Sequence, residues 1–164
     1  MRRLFPGKGD GQPRRYEDRT HGLRMMYPAE WKKKDKVRGA VVIFTPPTRT
    51  AGEAFAASVN VTVQDLAAQT PCSLQDYVQE MVERERKILP GYELQSVEEA
   101  VLAGHPALRI RFTSKQGYLL LKFEQLCTIH RERAVAVTCA AEAGRFDEFR
   151  RTANLIVDSL ALGE

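Results

Sequence analysis

The stretch between residues 92 and 141 constrains the fold of this chain more than any other feature. Apolar and polar residues alternate through four consecutive runs, at 92–101, 107–113, 118–129 and 134–141, and only short turns separate them. A period of two is typical of half-buried β-strands. Because short connections join strands that run in opposite directions, the pattern predicts an antiparallel sheet.

Weaker strand patterns precede this region at 23–27, 40–44 and 57–64. A helix is predicted after Ser73, a favourable N-cap residue, and Pro90 with Gly91 ends it. A second helix at 145–160 has an apolar face at helical spacing. The order of strands, helix, strands and helix predicts an α+β domain in which an antiparallel β-sheet is sandwiched by helices.

The alternation also leads to two expectations about the faces of the sheet. Eight apolar side chains are expected to gather in one layer beneath the two helices: Leu108, Ile110, Phe112, Leu119, Leu121, Phe123, Val135 and Val137. If neighbouring strands stay in register, the polar residues between them define one polar face. Its members are Asn60, Thr62, Gln64, Arg109, Arg111, Thr113, Lys122, Glu124 and Thr128.

This polar face has two interpretations. It is either a solvated face neutralised by cross-strand ion pairs such as Arg111 with Glu124, or a charged surface on which a partner docks, with Leu126 among its apolar anchors. Paired charges favour the first interpretation, and unpaired arginines favour the second. The candidate docking residues are Arg109, Arg111, Lys122, Glu124, Tyr118 and Leu120.

The positive charge of the chain is concentrated at its beginning. The first 24 residues hold seven basic and three acidic side chains, a surplus that equals the net charge of +4 for the whole chain. We therefore expect a basic, flexible arm at 1–21 and a folded domain at 22–162. The run from Lys32 to Arg38 is expected to form a basic turn. Together the arm and the turn make a candidate basic patch for an acidic partner, with Arg2, Arg3, Arg14, Arg15, Lys32, Lys33 and Lys34.

Targeting signals are missing from the sequence. No apolar segment follows the first arginines, and no apolar run approaches 18 residues. We therefore expect a protein without a membrane span, located in the cytoplasm or the nucleus.

Residues for catalysis or metal binding do not form a recognisable motif. The sequence lacks the G-x-S-x-G pattern of serine hydrolases. His21, His105 and His130 lie far apart in sequence, whereas a metal site usually includes a close pair of ligands. Cys72, beside the helix N-cap, is the best candidate for a reactive thiol, although we interpret it as an incidental small residue. We therefore expect no catalytic residue, no metal and no cofactor.

Several segments taken together resemble the Mog1/PsbP-like proteins. They are the 23–31 segment with its Tyr-Pro pair and Trp31, the valine strand at 59–63, the helix end at 89–92, the turn at 102–107 and the final helix with 156–160. The resemblance spans about residues 22–162. It implies an α/β/α sandwich around an antiparallel sheet, and a binding protein rather than an enzyme. Members of the family bind the Ran GTPase or photosystem II, and no partner-binding residue of theirs is transferred to this chain.

We accordingly expect a non-enzymatic protein-binding module that acts as an adaptor or accessory subunit of a larger assembly, with a small GTPase among the candidate partners. One alternative is a small-molecule-binding or redox enzyme with a pocket between sheet and helix, which converging titratable groups would favour. A second alternative is nucleic-acid binding through the basic arm. We rank it below protein binding, because the aromatic residues that single-strand binders use are missing around the basic run. Nothing in the sequence indicates an oligomeric state.

Overall fold

A computed structural model describes residues 11–47 and 55–163. Its elements, in chain order, are β1 (Arg14–Asp18), β2 (Leu23–Tyr27), β3 (Lys32–Val37), β4 (Ala40–Thr45), β5 (Ser58–Asp65), α1 (Leu74–Ile88), β6 (Glu93–Leu102), β7 (His105–Gln116), β8 (Leu119–His130), β9 (Arg133–Glu142), α2 (Phe146–Asp158) and β10 (Ala161–Leu162). Seven strands form one antiparallel sheet in the order β3-β4-β5-β9-β8-β7-β6. The predicted fold class, an antiparallel sheet sandwiched by helices, is confirmed.

Helix α1 covers one face of the large sheet above β7 and β8. Ser73 Oγ accepts a hydrogen bond from the backbone N–H of Asp76 at 3.0 Å, so the predicted N-cap is confirmed. Val78 and Val82 of α1 pack into a cluster with Ile110. This face of the sheet is called the α1 side below.

Helix α2 and a small three-stranded sheet, ordered β1-β2-β10, cover the opposite face, the α2 side. A short 3-10 turn, Ala143–Arg145, precedes α2. Phe146 and Ile156 of α2 are buried in the same cluster as Phe44 of β4 and Met25 of β2. Because both faces are covered, the inner strands bury apolar side chains on both sides of the sheet.

The expected single layer of eight apolar side chains is therefore wrong. Leu108, Ile110 and Phe112 belong to the cluster beneath α1, whereas Val135 and Val137 belong to the cluster beneath α2. Alternate positions along a strand point to opposite faces. The sequence identified which residues of each strand share a face, but it did not identify which helix that face meets.

The end of the predicted basic arm belongs to the fold. Arg14–Asp18 forms β1, which pairs along its whole length with β2. Tyr16 of β1 is buried in the core cluster on the α2 side. In the turn that follows, Asp18 Oδ1 accepts a hydrogen bond from the backbone N–H of Thr20 at 2.9 Å. The expected boundary between arm and domain thus falls inside a β-hairpin. Residues 1–10 of the predicted arm lie outside the described residues.

The expected basic turn at 32–38 is also wrong, because Lys32–Val37 forms the edge strand β3 and only the next residues turn toward β4. An edge strand keeps one side in water and tolerates lysines, which also discourage pairing with another chain.

Candidate functional site

A buried carboxylate surrounded by arginines lies on the α2 side of the large sheet. Glu124 of β8 is only 5% exposed. Its Oε2 accepts a hydrogen bond from Arg111 Nε of β7 at 3.1 Å and lies 3.5 Å from Arg150 Nε of α2. Its Oε1 lies 3.4 Å from Arg109 Nε of β7. Three guanidinium groups share this carboxylate, and we call the four residues the arginine cluster.

The local sequence explains why these side chains converge. Arg109 and Arg111 are two residues apart on one strand, so both point to the same face. Arg111 also lies directly opposite Glu124 in the strand register. Arg150 follows the buried Phe146 by one helical turn, which directs it toward the sheet.

The cluster has a surplus of positive charge. A second acid, the exposed Glu98 of β6, has its Oε1 3.7 Å from Arg111 Nη1. Arg109 Nε and Arg150 Nε are buried atoms without a hydrogen-bond partner in the described part of the chain. The two side chains are nevertheless 30% and 35% exposed. Two carboxylates thus face three guanidinium groups, and a further anion can reach the cluster at the exposed parts of Arg109 and Arg150.

Three other candidate docking residues lie toward the beginning of β8. Lys122 alternates with Glu124 on the strand, and its Nζ lies 5.3 Å from the centre of the Phe146 ring. Leu120 is 45% exposed, and Tyr118 in the preceding turn is 91% exposed. Leu126, expected as a further anchor, is buried in the core on the α2 side, so that expectation is wrong.

The predicted continuous polar face is divided between the two sides of the sheet. Asn60 pairs with Thr138, and Thr138 pairs with Gln125, which contacts α1. Asn60, Thr62 and Gln64 therefore lie on the α1 side, whereas the arginine cluster lies on the α2 side. The prediction of one polar face is wrong because the long-range pairing of β5 with β9 sets the side to which each polar residue points.

The predicted basic patch is only partly assembled from described residues. Exposed residues on β1 and β3 contribute Arg14, Arg15, Lys32, Lys33 and Lys34. Lys33 Nζ of β3 lies 5.3 Å from the centre of the Tyr16 ring of β1, so the two strands are close here. Lys33 Nζ also lies 2.9 Å from Asp35 Oδ2. Arg15 Nη2 lies 3.9 Å from Glu17 Oε2. Neighbouring acids thus neutralise part of this patch, and Arg2 and Arg3 lie outside the described residues.

A polar cluster between α1 and the sheet was missed by the sequence analysis. Gln125 Nε2 donates a hydrogen bond to Glu85 Oε1 at 2.7 Å. Burial raises the pKa of Glu85 and raises the pKa of the nearby Tyr92 to about 12. Glu85 Oε2, Gln125 Oε1 and the Tyr92 hydroxyl lack hydrogen-bond partners among the described residues. The available signal was the helical spacing that places Glu85 on the same face of α1 as Val78 and Val82.

Histidines that are isolated in sequence are not isolated in the fold. The ring centres of His105 and His130 are 4.3 Å apart, and His130 Nε2 is buried without a hydrogen-bond partner in the described part of the chain. His21 Nδ1 lies 2.6 Å from Asp18 Oδ2. Burial opposes ionisation of Asp18, but its hydrogen bonds with His21 and Thr20 outweigh burial and lower its pKa. Among residues 11–47 and 55–163, no three His, Cys, Asp or Glu side chains converge as metal ligands.

The cysteines occupy two different environments. Cys127 and Cys139 are buried, as the strand pattern predicted, and burial raises the pKa of each thiol to about 12. Cys72 is exposed beside the N-cap of α1. The two buried thiols are therefore core side chains.

Cavities lined by described residues also lie outside the arginine cluster. One of about 460 Å³ opens between the β1–β2 hairpin and the β3–β4 turn, and its lining includes Asp18, His21 and Asp35. Another, of about 390 Å³, lies between α1 and β6, and Val78 and Leu108 are among its lining residues. The titratable pair of Asp18 and His21 is thus away from the cavity between helix and sheet.

No helix among the described residues is long and apolar enough to cross a membrane.

Several solved structures share this fold. Cyanobacterial PsbP (CyanoP) from Synechocystis sp. PCC 6803 matches with a TM-score of 0.70 at 16% identity, and the match covers 96% of each chain. LpqN, involved in cell envelope biogenesis of Mycobacterium tuberculosis, has a TM-score of 0.69 at 12% identity and covers 93% of this chain and 91% of its own. The Saccharomyces cerevisiae Ran-binding protein Mog1p has a TM-score of 0.61 at 10% identity, covering 92% of this chain and 95% of its own. No protein-family model and no curated protein gives a match. The chain therefore has the Mog1/PsbP-like fold that the sequence resemblance predicted.

Proposed function

We propose that this protein is a non-enzymatic protein-binding module, an adaptor or accessory subunit of a larger assembly, and that the arginine cluster docks an acidic segment of its partner. The observation that supports this proposal is the surplus of guanidinium donors around Glu124. Arginine forms strong, often bidentate hydrogen bonds with carboxylates. The exposed Leu120 and Tyr118 lie close along the chain and supply apolar contact area.

The structural comparison supports a binding role and suggests the first partner to test. Mog1p is described as a Ran-binding protein and has the same fold. A small GTPase is therefore the first class of partner to examine, and a subunit of a larger complex is the second.

The cavity between α1 and β6 bears on the alternative of an enzyme. Its buried lining residues, Val78, Val82 and Leu108, are apolar, and its charged lining residues, Glu83 and Arg86, are exposed. Glu85 and Tyr92, whose pKa values burial raises, are not among its lining residues. This arrangement favours binding over the acid–base chemistry that a pocket with perturbed titratable groups would support.

The test uses the full chain and the double variant Arg109→Gln/Arg150→Gln. This variant removes the surplus charge but keeps the hydrogen bond between Arg111 and Glu124. The probe is a fluorescent, glutamate-rich peptide that contains two leucines. Loss of two charge-assisted contacts should weaken its binding by about tenfold or more. The matched control Arg24→Gln/Arg131→Gln removes the same charge from exposed positions outside the cluster and should change the affinity by less than about twofold.

The outcomes separate the proposal from its alternatives. Equal weakening by the control variant would show that only net charge attracts the peptide. The same pair of variants is then assayed with a purified small GTPase, and binding that depends on the cluster supports the GTPase-associated role. Steeply salt-dependent binding of single-stranded nucleic acid that needs residues 1–22 would instead favour the nucleic-acid alternative.

A further inference from the structure

Strand β6 is an open edge of the large sheet. It pairs only with β7, and no strand of the described residues lies on its other side. The opposite edge, β3, carries four lysines, a common protection against pairing with another chain. In contrast, β6 exposes apolar side chains: Leu94 is 38%, Val97 45% and Val101 67% exposed. The backbone groups of β6 are thus available for pairing beside an apolar surface.

An apolar groove of about 390 Å³ runs along this edge between β6 and α1. Val78, Val82 and Leu108 are its buried lining residues, and Leu94 and Val97 line it from β6. The register places Leu94 opposite Phe112 and Val97 opposite Ile110, so both point to the α1 side. An extended peptide directs every second side chain to the same face. A strand added to β6 would therefore insert alternate side chains into the groove.

The charges at this edge define the chemistry of the occupant. Glu93, Glu98 and Glu99 are exposed on β6, with Glu98 also 3.7 Å from Arg111 on the α2 side, and Glu83 lines the groove from α1 together with Arg86. Antiparallel pairing of β6 with a second copy of itself would bring three glutamates of each strand close to those of the other. Like charges on neighbouring strands are destabilising. A basic segment would instead neutralise this edge.

We propose that β6 and the α1 groove bind an extended segment of a partner protein by strand addition, and that this segment has apolar residues at alternate positions flanked by lysine or arginine. Strand addition gains affinity from main-chain hydrogen bonds and specificity from pockets for alternate side chains. The site goes beyond the proposed function, because Val97 faces the α1 side whereas Arg109 and Arg111 face the α2 side of the same sheet.

The probe for this site is a peptide of alternating valine and threonine with two lysines at each end. Titration into the full chain should protect backbone amides of β6 from hydrogen exchange and leave those of β3 unchanged. Val97→Lys places an ammonium group in the groove and should weaken binding by about tenfold or more. Because Val97 is exposed, the variant should remain folded, which circular dichroism checks. Ile88→Lys is the matched control, since Ile88 is 68% exposed and does not line the groove, and its affinity should equal that of the natural chain.

Three results would overturn the proposal. The first is equal affinity of the probe for the natural chain and Val97→Lys, and the second is equally tight binding of a peptide with the same core and flanking glutamates. The third is a dimer in sedimentation experiments that Val97→Lys dissociates, because the occupant would then be a second copy. The Arg109→Gln/Arg150→Gln variant should bind this probe normally, so failure here and failure of the proposed function are distinguishable.

Discussion

Replacing Glu124 by glutamine is the most direct test of the arginine cluster. The variant Glu124→Gln keeps the size of the side chain and one acceptor oxygen but removes the charge that three guanidinium groups share. We expect it to lower the free energy of unfolding by about 3 kcal/mol. The same variant should bind the glutamate-rich peptide more tightly than the natural chain does, because the surface gains one net positive charge. A loss of stability combined with a gain in binding is the distinctive result.

The magnitude follows from the geometry of the cluster. At separations of 3.1–3.5 Å and an effective dielectric constant of about 20, each attraction is worth roughly 5 kcal/mol before the cost of dehydration is subtracted. Dehydration offsets most of this attraction, and removal of one partner from a buried ion pair costs about 3–5 kcal/mol. The arginine side chains keep 24–35% of their surface exposed, so water screens the charges that remain. We therefore expect a value near the lower end of that range.

Urea unfolding followed by circular dichroism measures this change. For a domain of this size the loss corresponds to a melting temperature lower by about 6–12 °C. The control is Glu80→Gln, at an exposed position of α1 that has no ion pair among the described residues, and it should change stability by less than about 0.5 kcal/mol. A loss below about 1 kcal/mol in Glu124→Gln would show that the arginines are solvated independently. Weaker peptide binding by Glu124→Gln would show that the carboxylate positions the arginines and does not merely compete with the ligand.

Two further predictions concern α1. Burial raises the pKa of Glu85 above its ordinary value of 4.5, so this carboxyl stabilises the fold fully below pH 4.5 and its contribution is lost as the pH rises through the raised pKa. Glu85→Gln should therefore gain stability relative to the natural chain, and the gain should be larger at about pH 8 than at about pH 5, as urea midpoints at the two pH values measure. A difference that does not vary with pH would contradict the assigned burial. Ser73→Ala removes the acceptor of the Asp76 N–H and should cost about 1 kcal/mol in the free energy of unfolding, whereas Ser73→Gly should cost only a few tenths of that. Equal stability of Ser73→Ala and the natural chain in urea would show that the cap contributes nothing.

Local patterns were sufficient for the elements around β6 to β9. The turn at Gly117 is short, so the pairing of β7 with β8 follows from the sequence, and Arg111 indeed lies opposite Glu124. The N-cap at Ser73 depends only on residues a few positions away. These features are local, and local chemistry determines them.

The side of the sheet to which each strand directs its apolar residues was not available from local patterns. Val61 of β5 pairs with Val137 of β9, which is 76 positions away. Val137 in turn pairs with Leu126 of β8, and Leu126 pairs with Arg109 of β7, so Arg109 lies on the α2 side. A sheet covered on both faces buries both sets of alternating residues, so the period of two does not distinguish them. The strand β1 was missed for a related reason. Its only buried residue, Tyr16, gives no alternating pattern, and its pairing with β2 supplies the structure.

The arrangement of β6 explains why the large sheet has two chemically different surfaces. Glu98 points toward Arg109 and Arg111 on the α2 side, whereas the neighbouring Val97 points into the α1 groove. Because adjacent residues of a strand face opposite ways, a substitution at one position leaves the other surface in place. In the two proposed binding modes, the arginine cluster on the α2 side binds an acidic segment and the open edge of β6 binds a basic one. A partner with separate acidic and basic segments could engage both surfaces at once, and linkage of the two contacts would raise its affinity above that of either segment alone.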